Sequence, residues 1–293
     1  MTNAALIYNP RAGSWRTAQR IAAIRRQLAA AGYDTTPMPT TAPGHATALA
    51  ASASGQGAAV VFTHGGDGTL REAAAGLLGS PTALAPIPGG TANVVAIALG
   101  IPQNPLAAAR KMAAVDALEM DVGLCGEEIF LMQTSAGLDA QIMGSLDAGL
   151  KRRFGKAAVA WAGLLQFPTY DYPSIDFIAD GRPSTASLIA VCNLPLYAGS
   201  FKMAPDASIS DRALDLVAFR GRGRRATLGF ARDLVLGRHL RRADVELMRV
   251  REVELRGPAA LAIQLDGDAL SIRLPVTVGL HPQTVRMLKP RDG

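Results

Sequence analysis

Over the first third of the chain, apolar residues come in short unbroken runs, and turn-forming residues close each run. Residues 4–8 are stopped by Asn9-Pro10, residues 58–63 by Gly65-Gly66, and residues 84–88 by Gly89-Gly90. A short apolar run bounded this way predicts a strand buried on both faces. Between the runs, apolar positions recur at helical spacing. Ile21, Ile24 and Leu28 line one face of residues 15–31, with Arg20, Arg25 and Arg26 off that face and Gly32 placed to close the helix. Further helices are predicted near 44–54 and from about Leu70 to Leu78. Strand, loop and helix in succession specify a parallel sheet with crossover helices.

After Asp121 the pattern changes. Residues 130–134, 187–193, 214–219, 245–255 and 261–265 read as short strands without regular helices between them, and a long helical stretch over 139–166 is the exception. The expected organisation is an α/β domain over residues 1–120, joined by 280–293, and a β-rich second domain over 121–279. Nearly half the residues are apolar, at 49%, with 18% charged, as in a folded globular protein. Cys125 and Cys192 have no CxxC partner and are expected to be buried free thiols, which suits a reducing, cytoplasmic location. The N-terminal residues lack the pattern of a signal peptide, and the longest apolar stretch, 157–165, falls far short of the ~20 residues that span a bilayer. The net charge of +6 gathers in Lys151, Arg152, Arg153 and Lys156, and again between Arg220 and Arg251. Such clusters suit an anionic bilayer or nucleic acid, or are simply solvated faces.

Parallel α/β sheets bind ligands beyond the carboxyl ends of their strands. Three loops fall there: Asn9 to Ser14, Gly65-Gly66-Asp67-Gly68-Thr69, and Gly89-Gly90-Thr91-Ala92-Asn93. Glycine lets backbone approach a ligand and leaves N–H groups for phosphate oxygens, and a following helix adds its positive end. Neither GxxxxGK[ST] nor GxGxxG is met, the four histidines lack metal-ligand spacing, and Ser135 lacks the first glycine of a nucleophile elbow. Walker-type, dinucleotide-dehydrogenase, zinc and serine-hydrolase chemistry are set aside. The arginine run from Arg220 to Arg225 has no interleaved aromatics, which argues against nucleic acid as a partner.

The ordered set of motifs resembles the diacylglycerol kinase catalytic-domain family, which includes bacterial lipid kinases and the sphingosine and ceramide kinases. Beyond Asn9-Pro10 and Gly13, it consists of Gly65 to Leu70 with Glu72, Gly90 to Asn93, and Leu99 to Pro102. Ala136 to Ala140, Ala198 to Pro205, Asp211 to Asp215 and Leu265 to Asp268 complete it. The resemblance spans almost the whole chain. It implies a nucleotide domain like that of NAD kinases and phosphofructokinases plus a β-sandwich second domain, with ATP in the cleft and magnesium as cofactor. Carried over, Asn9, Ser14, Thr40, Gly65, Gly66, Asp67, Gly68, Thr69, Gly90, Thr91 and Asn93 line the ATP site, with Thr41 an equal candidate beside Thr40. Asp67 is placed to balance the triphosphate through magnesium; its other reading is a helix cap. Ser208, Asp211 and Ala213 match a structural magnesium turn, although Arg212 stands where the family has glycine. Asp268 stands where many bacterial members carry the glutamate base, and is expected to take the proton from the lipid hydroxyl. Its other reading is a solvated residue after an Asp266-Gly267 hairpin turn.

The resemblance makes a membrane lipid the acceptor and diacylglycerol the default; sphingoid bases, ceramide and phosphatidylglycerol remain open. So do a soluble-metabolite kinase of the NAD kinase type and a catalytically weak lipid- or nucleotide-binding relative. Residues 157–172, with Trp161, Phe167, Tyr170 and Tyr172, follow the first basic cluster and read as a peripheral membrane contact or as core. A homo-oligomer is compatible with the sequence.

Overall fold

The computed structural model describes residues 1–10, 17–145, 166–167, 169–197, 201–257, 261–270, 272 and 274–291. The chain forms two compact units, Met1–Asp121 with Pro282–Gly293, and Val122–His281.

In the first unit, β1 (Thr2–Tyr8), α1 (Thr17–Ala30), β2 (Tyr33–Pro39), α2 (His45–Gly55), β3 (Val60–Gly65), α3 (Asp67–Ala75) and β4 (Ala83–Pro88) alternate as the pattern predicts. α4 (Val94–Ala98), α5 (Pro105–Lys111) and β5 (Val115–Met120) follow, and the last strand of the chain, β20 (Val285–Pro290), returns to the same sheet. The strand order is β2-β1-β3-β4-β20-β5, parallel except for β5 against β20. β3 and β4 are buried at every position, which explains their unbroken apolar runs. α1 turns Ile21, Ile24 and Leu28 inward.

α2 is nearly all alanine and serine on its packed face, with Ala46, Ala50 and Ala53 buried, so it lies close against α3. Its first turn has no side-chain cap of its own. Glu72 of α3 supplies one, its carboxylate accepting the Ala46 N–H at 3.2 Å while its carbonyl accepts the Thr47 hydroxyl at 2.8 Å.

The second unit is all antiparallel in its two large sheets. Before the first helix run β6 (Gly123–Cys125), β7 (Glu128–Phe130) and β8 (Gln133–Ala136); α6 (Leu138–Gly144) then covers part of its extent, and the rest of the predicted 139–166 helix lies outside the described residues. Next come β9 (Ile175–Ala179), β10 (Arg182–Ala186), β11 (Leu188–Cys192), the short pair β12 (Leu196–Tyr197) and β13 (Phe201–Lys202), and β14 (Leu214–Phe219). α7 (Gly223–Val235) and a 3₁₀ turn at His239–Arg241 precede β15 (Val245–Val250), β16 (Glu252–Arg256), β17 (Ile263–Leu265), β18 (Asp268–Leu270) and β19 (Val276–Leu280). One sheet runs β10-β9-β16-β19-β6-β7 and the other β15-β14-β11-β8-β17-β18. They enclose a core that includes Phe130, Phe177, Val191, Leu216, Val253, Leu255 and Ile263.

The predicted strand over 245–255 is two strands in different sheets. The chain changes sheet at Arg251, where the Asp180 carboxylate accepts the N–H groups of Arg251 and Glu252, both at 3.1 Å. β11 and β14 bury both faces, since Leu188, Ala190, Cys192, Val217 and Phe219 point away from the sandwich core into a second cluster covered by Phe230 and Leu234 of α7. Both cysteines are free and buried, as expected, and burial pushes the Cys125 thiol up to about 11. Among the described residues, no helix is long and apolar enough to cross a membrane.

Gly76, just after α3, permits the close α2–α3 approach, because a β-carbon there would sit 2.2 Å from the Thr47 carbonyl oxygen. Gly76→Ala is expected to cost about 1–3 kcal/mol, read as a lower midpoint with unchanged slope in urea unfolding.

Candidate active site

The parallel register of the first unit sets one edge. Tyr8 pairs with Pro39 and with His64, and Gly65 pairs with Pro88, so the strand ends of β1, β2, β3 and β4 lie level. Asn9, Thr40, Gly66 and Gly89-Gly90 follow directly from those ends. Backbone bonds tie the edge together: Asn9 N–H donates to His64 O at 3.2 Å, Thr40 N–H to Tyr8 O at 2.9 Å, and Gly89 N–H to Gly65 O at 2.9 Å. Between the candidates Thr40 and Thr41, the Thr41 hydroxyl and the His45 ring are bonded at 2.9 Å at the start of α2, whereas Thr40 stays half-buried at the strand end.

The two glycine loops meet backbone to backbone. A β-carbon on Gly90 would lie 2.5 Å from the Gly66 Cα, so no other residue fits Gly90 without moving the loops apart. Gly65 is equally constrained, because Thr69 packs where its side chain would go. α3 begins at Asp67, three residues earlier than the sequence pattern suggests, with Gly66 as a cap that contributes no side-chain acceptor. The first-turn amides of α3, at Gly68 and Thr69, therefore face the loop as an anion-binding end. Thr91 and Gly90 are exposed beside it. Asn93 has a structural part in the third loop. Its buried side chain accepts the Gly90 N–H at 2.9 Å and donates to Gly90 O and to Gln103 Oε1, both at 3.0 Å, so it folds the third loop. Beneath the loops a cavity of ≈ 10 Å³ is lined by Thr63, Asp67, Pro88 and Asn93 among others, room for about one water.

Asp67 ties the second loop to the helix that follows the third: its Oδ1 accepts the Val95 N–H of α4 at 3.3 Å. Burial raises its carboxyl above the ordinary value, and the amides of Val94, Val95 and Asn93 pull it back only in part. The cap reading of Asp67 thus has substance, for α4 and not for a helix at Leu70. Asp67 itself is half-buried at the sheet edge.

In the second unit, Asp266 and Gly267 form the two-residue turn between β17 and β18, both at positive φ (50° and 83°). The Asp266 carboxylate accepts the N–H groups of Leu131, Met132 and Gln133 at 2.9, 2.8 and 3.1 Å. From the other side the Gly267 N–H donates to Gln264 Oε1 at 2.7 Å, Gln264 Nε2 donates to Ser135 Oγ at 2.6 Å, and the Ser135 hydroxyl donates to Asp139 Oδ2, which also accepts the Tyr197 hydroxyl at 3.4 Å. Burial holds the Asp139 carboxyl above its ordinary value against the Ser135 and Tyr197 hydroxyls. Asp268 is the first residue of β18, opposite Leu265 and half-buried, at the end of a turn fixed on both sides. The hairpin reading of Asp266-Gly267 is correct and is also what orients Asp268. Gln264 and Asp139 escape a search for reactive groups; the only signal of Gln264 is a polar residue inside a buried strand.

At the expected structural magnesium turn, Arg212 has φ 58°, the left-handed conformation that a glycine would take easily. Asp211 Oδ1 accepts the Ala213 N–H at 3.3 Å, and Oδ2 pairs with Arg249 at 2.8 Å. A guanidinium holds the oxygen that a cation would need, so Ser208, Asp211 and Ala213 as arranged do not fit a dedicated ion. Among the described residues, no group of three or more His, Cys, Asp or Glu side chains could hold a metal. Ser14, residues 157–165 and residues 198–200 lie outside the described residues. Of the aromatic stretch, Phe167 and Tyr170 each pack edge to face on Tyr172. Lys202 is exposed on β13.

Because the folded-state carboxyl of Asp67 lies above its unfolded value, its contribution to stability is full below the ordinary carboxylate range of about pH 4 and is lost as pH rises through the folded value. Asp67→Asn should therefore gain stability relative to the parent between acidic and neutral pH, read from thermal midpoints across that range. Asp266→Ala should lose roughly 1–3 kcal/mol, read by urea unfolding, because three backbone donors lose their acceptor.

Residues 3–125 match the diacylglycerol kinase catalytic domain family, and residues 132–289 match the YegS C-terminal NAD kinase beta sandwich-like domain. A diacylglycerol kinase of Bacillus subtilis (strain 168) is 27% identical over 92% of this chain and 90% of its own length. A YegS-like protein of Chromohalobacter salexigens, named for lipid kinase activity, is 35% identical over 75% of this chain and 73% of its own. The crystal structure of a diacylglycerol kinase from Bacillus anthracis str. Sterne superposes with a TM-score of 0.72 at 21% identity, covering 98% of this chain and 96% of that one, which shows the shared fold. With both domains matched and a relative 35% identical over three quarters of its length, the chain belongs to the diacylglycerol kinase catalytic-domain family, that of the bacterial diacylglycerol kinases and YegS-like lipid kinases.

Proposed function

We propose that the chain transfers the γ-phosphate of ATP to a hydroxyl of a membrane lipid, with diacylglycerol as the first acceptor. The observation that supports it most is the meeting of Gly66 and Gly90 at the sheet edge, with the α3 amides and Asp67 beside them. In this reading the first unit, residues 1–120 with 280–293, holds ATP through Asn9, Ser14, Thr40, Gly65, Gly66, Gly68, Thr69, Gly90 and Thr91, with Asn93 keeping the third loop in shape. Residues 121–279 take the lipid.

Magnesium bound with the triphosphate would neutralise its charge. Asp67 fits as the protein's share of that ion, since such sites commonly use one or two carboxylates plus the substrate phosphates. Asp268 accepts the proton of the lipid hydroxyl as that oxygen bonds to the γ-phosphorus. The bond from γ-phosphorus to the bridging oxygen breaks, and ADP leaves with the electron pair. Because the transition state is loose, catalysis depends mostly on placing groups correctly, and a base held by a fixed turn serves that need even with the shorter aspartate side chain. The molecule would work at a bilayer surface in the cytoplasm.

The test is transfer from labelled ATP, with magnesium, to mixed micelles carrying diacylglycerol, sphingosine, ceramide or phosphatidylglycerol in turn. Transfer to diacylglycerol is expected, with Asp67→Ala and Asp268→Ala each lowering kcat by at least about 10²-fold. Transfer that survives Asp268→Ala would remove the base. No transfer to any of the lipids by a chain that binds ATP would overturn the reading.

A further inference from the structure

α7 has two apolar faces, and packing explains only one of them. Ala226, Phe230 and Leu234 cover the outer surface of the β14-β11 sheet. Leu228 and Val235, seven residues apart and so aligned along the helix, point roughly opposite Phe230. They are 58% and 61% exposed, and Leu236 at the helix end is 55% exposed. These make up three of the five large exposed hydrophobic residues in the described structure. A helix lying on a sheet ordinarily turns polar residues to that outer side.

The charge of this segment is strongly biased to one sign. Residues 220–242 contain eight arginines and one aspartate. The aspartate, Asp233, is buried and ion-paired with Arg232 and Arg242. Arg220 is matched by Glu246, and Arg242 also by Asp244. Arg222, Arg224, Arg225, Arg238 and Arg241 are all exposed around the apolar line.

We propose that this face of α7 docks the protein on an anionic lipid bilayer, the three apolar tips entering the headgroup boundary while the arginines meet lipid phosphates. The inference deepens the lipid-kinase reading and rests on it for its purpose, but not for its geometry. Charge complementarity selects the occupant. A second copy in symmetric contact would set arginines against arginines. A nucleic acid would engage the arginines and leave Leu228, Val235 and Leu236 without use. A bilayer takes both, each basic residue near an anionic surface adding to the attraction and each buried apolar group adding hydrophobic transfer.

The full chain is sedimented with phosphatidylcholine vesicles with and without phosphatidylglycerol, next to the double variants Leu228→Glu/Val235→Glu and Arg224→Glu/Arg225→Glu. Parent binding is expected only with phosphatidylglycerol, with a drop of at least about tenfold in each variant. Thermal midpoints and phosphate transfer in uncharged micelles should stay at parent values, and salt should weaken parent binding. Vesicle binding unchanged in both variants would overturn the docking face, as would binding indifferent to lipid charge. Two further results would overturn it by naming another occupant: a parent dimer that the variants split, or retention by double-stranded DNA with none by vesicles. If no lipid is phosphorylated while the variants still lose vesicle binding, the kinase reading falls and the docking face stands.

Discussion

Everything at the sheet edge of the first unit depends on how closely two backbones approach. Gly90 lies against Gly66 because Gly90 has no side chain, and that contact brings the loop after β3 against the loop after β4. Once they are together, Asp67 at the start of one helix can accept an amide at the start of the next, and Asn93 can fold the third loop over Gly90. The cost is a carboxylate held where burial opposes its charge. A cation beside the carboxylate would favour its charged form.

The second unit solves a related problem by different means. A short hairpin at the end of a sheet would leave its first residue loosely placed. Here the turn is fastened from outside by the Asp266 carboxylate and from inside by the chain of bonds through Gln264, Ser135 and Asp139. Buried hydrogen bonds of this kind favour a single arrangement, and these hold the strand on which Asp268 begins.

The parallel sheet was legible because strands buried on both faces must be apolar throughout, and β3 and β4 are. The glycine loops were legible because only glycine allows the approach they make. The hidden features are those that depend on residues far apart in sequence. The change of sheet at Arg251 depends on the carboxylate of Asp180, the state of Asp211 on Arg249, and the capping of α2 on Glu72. None leaves a local pattern. α3 was placed late by three residues because glycine and aspartate at its start read as loop, although they sit in its first turn.

The position of β20 has a consequence for how the molecule comes to be. It lies inside the first sheet, between β4 and β5, yet it is made after every strand of the second unit. During synthesis the second unit has all its strands in one unbroken stretch and is free to fold as it emerges from the ribosome. The first unit has to wait, with an open seam between β4 and β5, until residues 285–290 arrive to close it. Of the two units, the one begun earlier is therefore completed later, and until then its sheet presents raw edges that a chaperone would have reason to cover.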